Sequence, residues 1–113
     1  MRILFDKNVP VGVRRFLAGH QVFTFEQLQW LPQLENGQLL AKGEEAGFDV
    51  MVTSDQNIVY QQHLTGRKLA LVALGSNIWP IVREYGAPIA SVVDSATPGS
   101  YAFIEMPIPR KRD

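Results

Sequence analysis

The sequence contains no cysteine. This absence excludes disulfide bonds, thiolate catalysis and zinc sites built on cysteine ligands. Long apolar runs are missing too: none approaches the roughly 18 residues of a membrane-spanning helix, so no membrane partner is expected. Because the chain begins in a predicted strand, we expect neither a secretory signal nor a transit peptide, and a cytoplasmic location follows by default.

The chain also lacks an excess of either charge: eleven Lys and Arg residues balance eleven Asp and Glu residues, so its formal net charge is zero. The uniformly positive surface that drives non-specific nucleic-acid binding is therefore not predicted. Basic residues concentrate only at Arg110, Lys111 and Arg112. We interpret residues 110–113 as a frayed tail rather than a nucleic-acid arm, since disorder concentrates at termini. With 113 residues, 46% of them hydrophobic, the chain is predicted to form one domain over 1–113.

Short apolar runs alternate along the chain with segments of helical periodicity. This alternation predicts an α/β fold of three layers, α/β/α, around a mostly parallel sheet of about five strands. Residues 26–34, which are rich in Gln and interrupted by Pro32, are predicted to form a loop that carries Trp30. Strands are predicted near 3–5, 20–25, 49–53, 69–74 and 101–106, and helices near 10–19, 36–47, 57–64, 77–85 and 89–96.

One sequence pattern, Asp-x-Asn, occurs twice, each time directly after a predicted buried strand. Asp6 and Asn8 follow the first strand, and Asp55 and Asn57 follow the third. In open α/β sheets, ligands bind in the crevice outside the carboxyl ends of the strands, where the strand order reverses. If these two strands are neighbours at that reversal, the two aspartates lie at one site.

Two carboxylates flanked by neutral oxygen donors suit Mg²⁺ or Mn²⁺, ions that keep several of their waters. Asn8, Ser54 and Asn57 are the neutral donors. A metal held in this way can polarise a phosphodiester and activate water. Either aspartate alone is equally well explained as a helix cap or turn former. The repetition of the pattern favours a functional site.

Two other polar groups are weaker candidates. Gln61 and Gln62, on the predicted helix after Asp55, either contact a phosphate or a base or form the solvent face of that helix. Residues 75–77, Gly-Ser-Asn, either bind an anion through main-chain N–H groups or form a plain turn with a helix cap. No glycine-rich nucleotide-binding motif is present.

Several short segments, taken in order, resemble the small bacterial PIN-like proteins of unassigned function. These belong to the PIN nuclease superfamily, which also contains the ribonuclease toxins of toxin–antitoxin pairs. The resemblance covers about residues 2 to 75. Its segments are Ile-Leu-Phe-Asp-Lys-Asn-Val-Pro at 3–10, Gly-His-x-Val at 19–22, Asn-Gly-Gln-Leu-Leu at 36–40, Gly-Phe-Asp-Val at 47–50, Thr-x-Asp-x-Asn at 53–57 and Tyr-Gln-Gln at 60–62.

The resemblance implies a PIN-like sheet whose strand ends gather acids around Mg²⁺ or Mn²⁺ to cut RNA. Asp6 and Asp55 would be the metal ligands and catalytic acids. Two positions depart from the family pattern: Lys7 stands where a glutamate is usual, and Gln38 where an acid is usual. Glu35 is a candidate replacement, and Gln38 would act in support of the metal ligands.

The first functional hypothesis is therefore a metal-dependent ribonuclease with an RNA substrate, extending to a toxin with an antitoxin-like protein partner. Asn8, Ser54 and Asn57 would orient waters or phosphate. The second is a catalytically degraded PIN-like module that binds a protein partner or RNA. A third, weaker hypothesis is a phosphate- or nucleotide-binding domain using residues 75–77. The apolar alternation of Tyr101, Phe103 and Ile104 also suggests an edge strand that pairs with another chain, as in a homodimer.

Overall fold

Five short strands form one sheet in which every neighbouring pair is parallel. The computed structural model describes residues 1–29, 36–55, 64 and 66–107. The strand order is β2-β1-β3-β4-β5, so the predicted α/β fold with a parallel five-stranded sheet is confirmed. The strands are β1 (Arg2–Phe5), β2 (Gln21–Thr24), β3 (Val50–Thr53), β4 (Ala70–Leu74) and β5 (Tyr101–Ile104).

Helices occupy most of the described connections between strands. The segment predicted as a helix over 10–19 forms a 3-10 helix, and the one predicted over 57–64 lies, apart from Leu64, outside the described residues. Across the described ranges, no helix has the length and hydropathy needed to cross a bilayer. The helices are η1 (Val11–Leu17), α1 (Phe25–Leu28), α2 (Asn36–Glu45), α3 (Trp79–Val82), η2 (Arg83–Tyr85) and α4 (Gly86–Asp94).

Helix α1 corrects the predicted loop over 26–34. The Thr24 hydroxyl accepts the N–H of Gln27 at 3.2 Å, and the Gln27 side chain accepts the N–H of Thr24 at 2.9 Å. This reciprocal capping box satisfies two main-chain donors and starts the helix despite its short length. The Thr-x-x-Gln spacing of this capping box is visible in the sequence at 24–27. Residues 30–35, with Trp30, lie outside the described residues.

The two helices after β4 begin at other positions than predicted. Asn77 does not cap α3, whose first residue follows Ile78; instead the Ser76 hydroxyl accepts the Ile78 N–H at 3.1 Å. Helix α4 starts at Gly86, before Pro88. A Cβ at Gly86 would lie 2.6 Å from the Phe16 ring, so glycine permits the close contact between this helix start and η1.

The three inner strands, β1, β3 and β4, are mostly apolar because both faces of the sheet are buried there. Alternate residues point to opposite faces, and two separate hydrophobic clusters result. One includes Ile3, Phe5, Val50, Val52, Val72 and Ile104 together with residues of η1, α3 and α4. The other includes Leu4, Met51 and Leu71 together with Phe25, Leu39, Leu40 and Phe48.

The order of the strands reverses between β1 and β3. From β1 the chain goes outward to β2, then returns to the other side of β1 to form β3 and continues to β4 and β5. In doubly wound sheets the carboxyl ends of the two strands at such a reversal flank a crevice. The predicted adjacency of the first and third strands is therefore confirmed, and the segments after them occupy this position.

Candidate functional site

Asp6 is the first residue beyond β1 and is buried, with 6% of its surface exposed. Its N–H donates to the Val52 carbonyl at 2.9 Å, which extends the ladder to β3 by one residue. Its carboxylate accepts two hydrogen bonds: Oδ1 from the Lys7 N–H at 2.7 Å and Oδ2 from the Thr53 hydroxyl at 2.9 Å. The side chain is thus fixed at the carboxyl end of β1.

The Thr53 hydroxyl connects the two segments that follow β1 and β3. Thr53 is fully buried at the end of β3. Its oxygen donates its proton to Asp6 at 2.9 Å and accepts the N–H of Asp55 at 3.0 Å. Because both bonds meet at one oxygen, the Asp6 carboxylate and the Asp55 nitrogen are at most about 6 Å apart. Asp55 itself is exposed.

The register of the sheet explains why these groups meet. Phe5 of β1 is paired with Val52 of β3, so Asp6 and Thr53, each one residue further on, lie side by side at the same edge. Parallel strands place residues of equal register on the same face. Asp6 was predicted from the repeated Asp-x-Asn pattern, whereas Thr53 was not among the predicted site residues. The sequence signals for Thr53 were its position at the end of a buried strand and its place in the Thr-x-Asp-x-Asn segment of the PIN-like resemblance.

The other predicted residues are less closely held. The Ser54 hydroxyl donates to the Ser76 carbonyl at 3.3 Å, which links the segments after β3 and β4. Asn8 is exposed in the turn after β1, and Gln38 is exposed in the first turn of α2. Neither is brought to Asp6 by a hydrogen bond among the described residues. Outside those residues lie Glu35, Asn57, Gln61 and Gln62.

A cleft of about 320 Å³ opens beside Asp6, over the ends of β1 and β2. Its polar lining comes from Asp6, Lys7, Thr24 and Glu26, and the rest of its lining is apolar. Glu26 was not predicted from the sequence, because the helix that carries it, α1, was predicted as a loop. The cleft therefore holds two carboxylates and one ammonium group.

The Lys7 side chain lies on the cleft side of the chain. Its Nζ is 5.7 Å from the centre of the Phe25 ring, and it lines the cleft together with Asp6. The sequence alone allowed this side chain to point inward or away. The ammonium is therefore part of the candidate site, where the PIN-like resemblance implied a carboxylate.

The donor set suits a weakly held divalent ion. An ionised carboxylate offers about four acceptor positions, and Asp6 uses two of them within the protein. Asp6 and Asp55 are the carboxylates on the segments that follow the two strands at the strand-order reversal. Within the described ranges, no cluster of three or more His, Asp or Glu side chains is arranged to hold a metal ion.

The segment after β4 forms a turn rather than an open anion cradle. The Gly75 N–H donates to the Ile104 carbonyl at 2.9 Å, so this donor serves the β4–β5 ladder. A Cβ at Gly75 would lie 2.9 Å from the Ile104 oxygen and from the Met106 nitrogen. The glycine is therefore explained by close main-chain packing, and the Ser76 hydroxyl by its hydrogen bond to the next segment.

The chain matches no family model, no curated protein and no solved structure.

Proposed function

We propose that the protein is a PIN-like, metal-dependent ribonuclease in which Asp6 and Asp55 bind Mg²⁺ or Mn²⁺. The observation that carries this proposal is the shared Thr53 hydroxyl, which ties both aspartate segments together at the reversal of strand order. A three-layer α/β/α arrangement of the PIN type is favoured by the two hydrophobic clusters, which involve opposite faces of the sheet.

The Asp6 carboxylate, proposed as a metal ligand, is already oriented by the protein before an ion binds. The Lys7 N–H and the Thr53 hydroxyl orient its two oxygens, so little side-chain freedom is lost on binding. Asp55 is exposed and brings the second carboxylate from the solvent side. Mg²⁺ needs only one or two carboxylates when water and substrate phosphate complete its shell.

The bound ion would supply the charge that polarises a phosphodiester and the activated water that attacks it. The protein groups do the positioning. Lys7 places a positive charge beside Asp6 in the cleft, where it attracts the phosphate of a nucleic-acid strand. Ser54 directly precedes Asp55, and its hydroxyl donates to the Ser76 carbonyl. In this proposal Ser54 orients a water molecule beside the Asp55 carboxylate.

The test is cleavage of structured RNA in Mn²⁺ by the wild type and by Asp6→Asn and Asp55→Asn. We expect each variant to lose at least about 100-fold in rate, the scale on which one group that stabilises the transition state acts. Glu84→Gln is the matched control, because Glu84 is exposed on η2, and it should cleave at the wild-type rate. Unchanged cleavage by both aspartate variants would rule out the assignment.

The second candidate function is a non-catalytic PIN-like module that binds RNA or a protein. It is favoured by Lys7 in the cleft and by the lack, among the described residues, of a cluster of three metal-binding side chains. A titration with Mn²⁺ followed by NMR separates the two. Line broadening confined to Asp6, Asn8 and Asp55 supports the enzyme, whereas no broadening at millimolar Mn²⁺ supports the module.

The ribonuclease proposal extends to the toxin of a toxin–antitoxin pair acting in the cytoplasm. Its partner would then be a small antitoxin-like protein. A neighbouring gene that encodes a small helix-turn-helix protein supports this extension. If the gene neighbourhood contains no such gene, the toxin role is dropped while the ribonuclease proposal stands on the cleavage assay.

A further inference from the structure

Strand β5 lies at one end of the sheet and, among the described residues, pairs only with β4. The carbonyls of Ser100 and Ile104 each accept a hydrogen bond from β4 at 2.9 Å. In a parallel ladder, alternate residues direct their N–H and C=O groups to opposite sides. The main-chain groups of Tyr101 and Phe103 therefore point away from β4, out of the sheet.

This edge lacks the features that usually keep edge strands from pairing. Natural edges carry charges, prolines or bulges, whereas β5 has the sequence Tyr-Ala-Phe-Ile. The nearest charge follows the strand at Glu105, and the nearest prolines, Pro98 and Pro107, lie outside it on either side. Phe103 is 46% exposed, although it is one of the large apolar side chains. Among the residues that the structure describes, this edge has no further strand paired to it, and its side chains are apolar or aromatic.

We propose that β5 pairs antiparallel with β5 of a second copy of this chain, so that the two sheets become one. The two-fold axis passes between the two Ala102 residues, and Tyr101 of each copy lies opposite Phe103 of the other. Residues opposite each other in such a pair exchange both of their N–H···O bonds. A closed, symmetric dimer follows, because the same patch serves both subunits.

A second copy fits this edge better than an unrelated chain because the edge is complementary to itself. The two residues with outward main-chain groups are both aromatic and share one face of the sheet, so the pairing makes two identical aromatic contacts. Since β5 has no charge, no like-charge repulsion arises when two identical edges meet. The proposal does not depend on the ribonuclease activity.

The face of the sheet opposite Tyr101 and Phe103 leaves room for a second copy of the chain to approach β5. Ala102 lies on this face, where it lines a depression of about 290 Å³ with Ser91 and Val92 of α4 and with Ala96, which follows that helix. The side chain on the two-fold axis is therefore a methyl group, and two of the three residues beside it, Ser91 and Ala96, are small. Two copies can approach until their strands are about 5 Å apart, as a sheet requires, without a bulky side chain between them.

The first test is the molar mass in solution at increasing protein concentration, by light scattering after gel filtration. We expect the wild type to approach twice 12.7 kDa. Phe103→Lys should weaken the dimer at least tenfold, because it places like charges on diagonal neighbours across the new pair. Val11→Lys is the control: Val11 is 64% exposed and apolar but lies on η1 rather than on β5. It should leave the dimer intact.

The second test uses only the wild type and so does not depend on how the variants fold. Amide hydrogen exchange should be slow at Ala102 and Ile104 at every concentration, because these groups bond to β4. At Tyr101 and Phe103 it should slow as the concentration rises. A mass near 12.7 kDa throughout, protection of Tyr101 and Phe103 in the monomer, or a dimer that Phe103→Lys leaves unchanged would each overturn the proposal.

Discussion

Replacing Thr53 with valine isolates the hydrogen bonds that join the two aspartate segments. Thr53→Val keeps the shape of the side chain and removes only the hydroxyl. The Asp6 carboxylate then loses a donor at 2.9 Å in a buried position, and the Asp55 N–H loses its acceptor at 3.0 Å. The perturbation is local because the β-branched side chain still fills its place in β3.

The expected cost is roughly 2–4 kcal/mol of unfolding free energy, since a hydrogen bond to a charged group contributes about 1.5–3 kcal/mol and a neutral one about 1. The assay is urea unfolding at neutral pH, followed by circular dichroism. For a domain of this size, such a loss lowers the melting temperature by roughly 10 °C or more. Far-ultraviolet spectra should stay the same, because the strand itself is retained.

A double-mutant cycle with Asp6→Asn distinguishes the hydrogen bond from any general effect of the substitution. We expect a coupling between Asp6 and Thr53 of about 1–2 kcal/mol, because the second change costs less once the first has removed the shared bond. A Thr53→Val variant within about 0.5 kcal/mol of the wild type, or two changes that simply add, would refute the reasoning. The hydroxyl would then not connect the two segments in solution.

Three further substitutions test the packing around the site and sheet. Gly75→Ala should lose about 1–3 kcal/mol or more, since its Cβ would lie 2.9 Å from main-chain atoms at the end of β5. Gly43→Ala, whose Cβ would meet only side chains at 3.4 Å or more, should instead gain up to about 1 kcal/mol from helix propensity. Arg2→Lys should cost about 1 kcal/mol, because the guanidinium lies 5.0 Å from the rings of both Phe23 and Phe48. Urea unfolding measures all three.

Each of these three predicted changes in stability has an outcome that would contradict it. If alanine is equally tolerated at Gly75 and Gly43, the close main-chain approach after β4 is absent in solution. For the arginine, Arg83→Lys is the control, because Arg83 is exposed on η2. If Arg2→Lys and Arg83→Lys lower the free energy of unfolding equally, the contact of the Arg2 guanidinium with the Phe23 and Phe48 rings contributes nothing to stability.

The inner strands of the sheet were predictable because they are short, mostly apolar runs buried on both faces. Val50–Thr53 and Ala70–Leu74 lie within one residue of their predicted positions, since such runs have few alternatives between glycine- and proline-rich turns. Helix starts were harder. Helix α1 depends on one reciprocal pair of hydrogen bonds, and the start of α4 depends on space beside Phe16. The capping pair is local and the contact with Phe16 is tertiary, and neither leaves a trace in hydrophobic periodicity.

The site was predictable in outline and not in detail. The repeated Asp-x-Asn pattern pointed to the carboxyl ends of β1 and β3, which are neighbours. The sequence could not indicate that Thr53 joins the two segments, because a threonine at a strand end is common and its partner is 47 positions away. Nor could it place Lys7 and Glu26 in one cleft, since that depends on how α1 folds back beside β1.

The position of β1 between β2 and β3 sets an order of assembly during synthesis. Its first neighbour, β2, follows within about 20 residues, but β3 appears only after residue 50. At ribosomal rates of about 5–20 residues per second, one side of β1 stays uncovered for seconds. Asp6 acquires its threonine partner only when that gap closes, so under the proposed function the two carboxylates come together only after β3 has folded against β1.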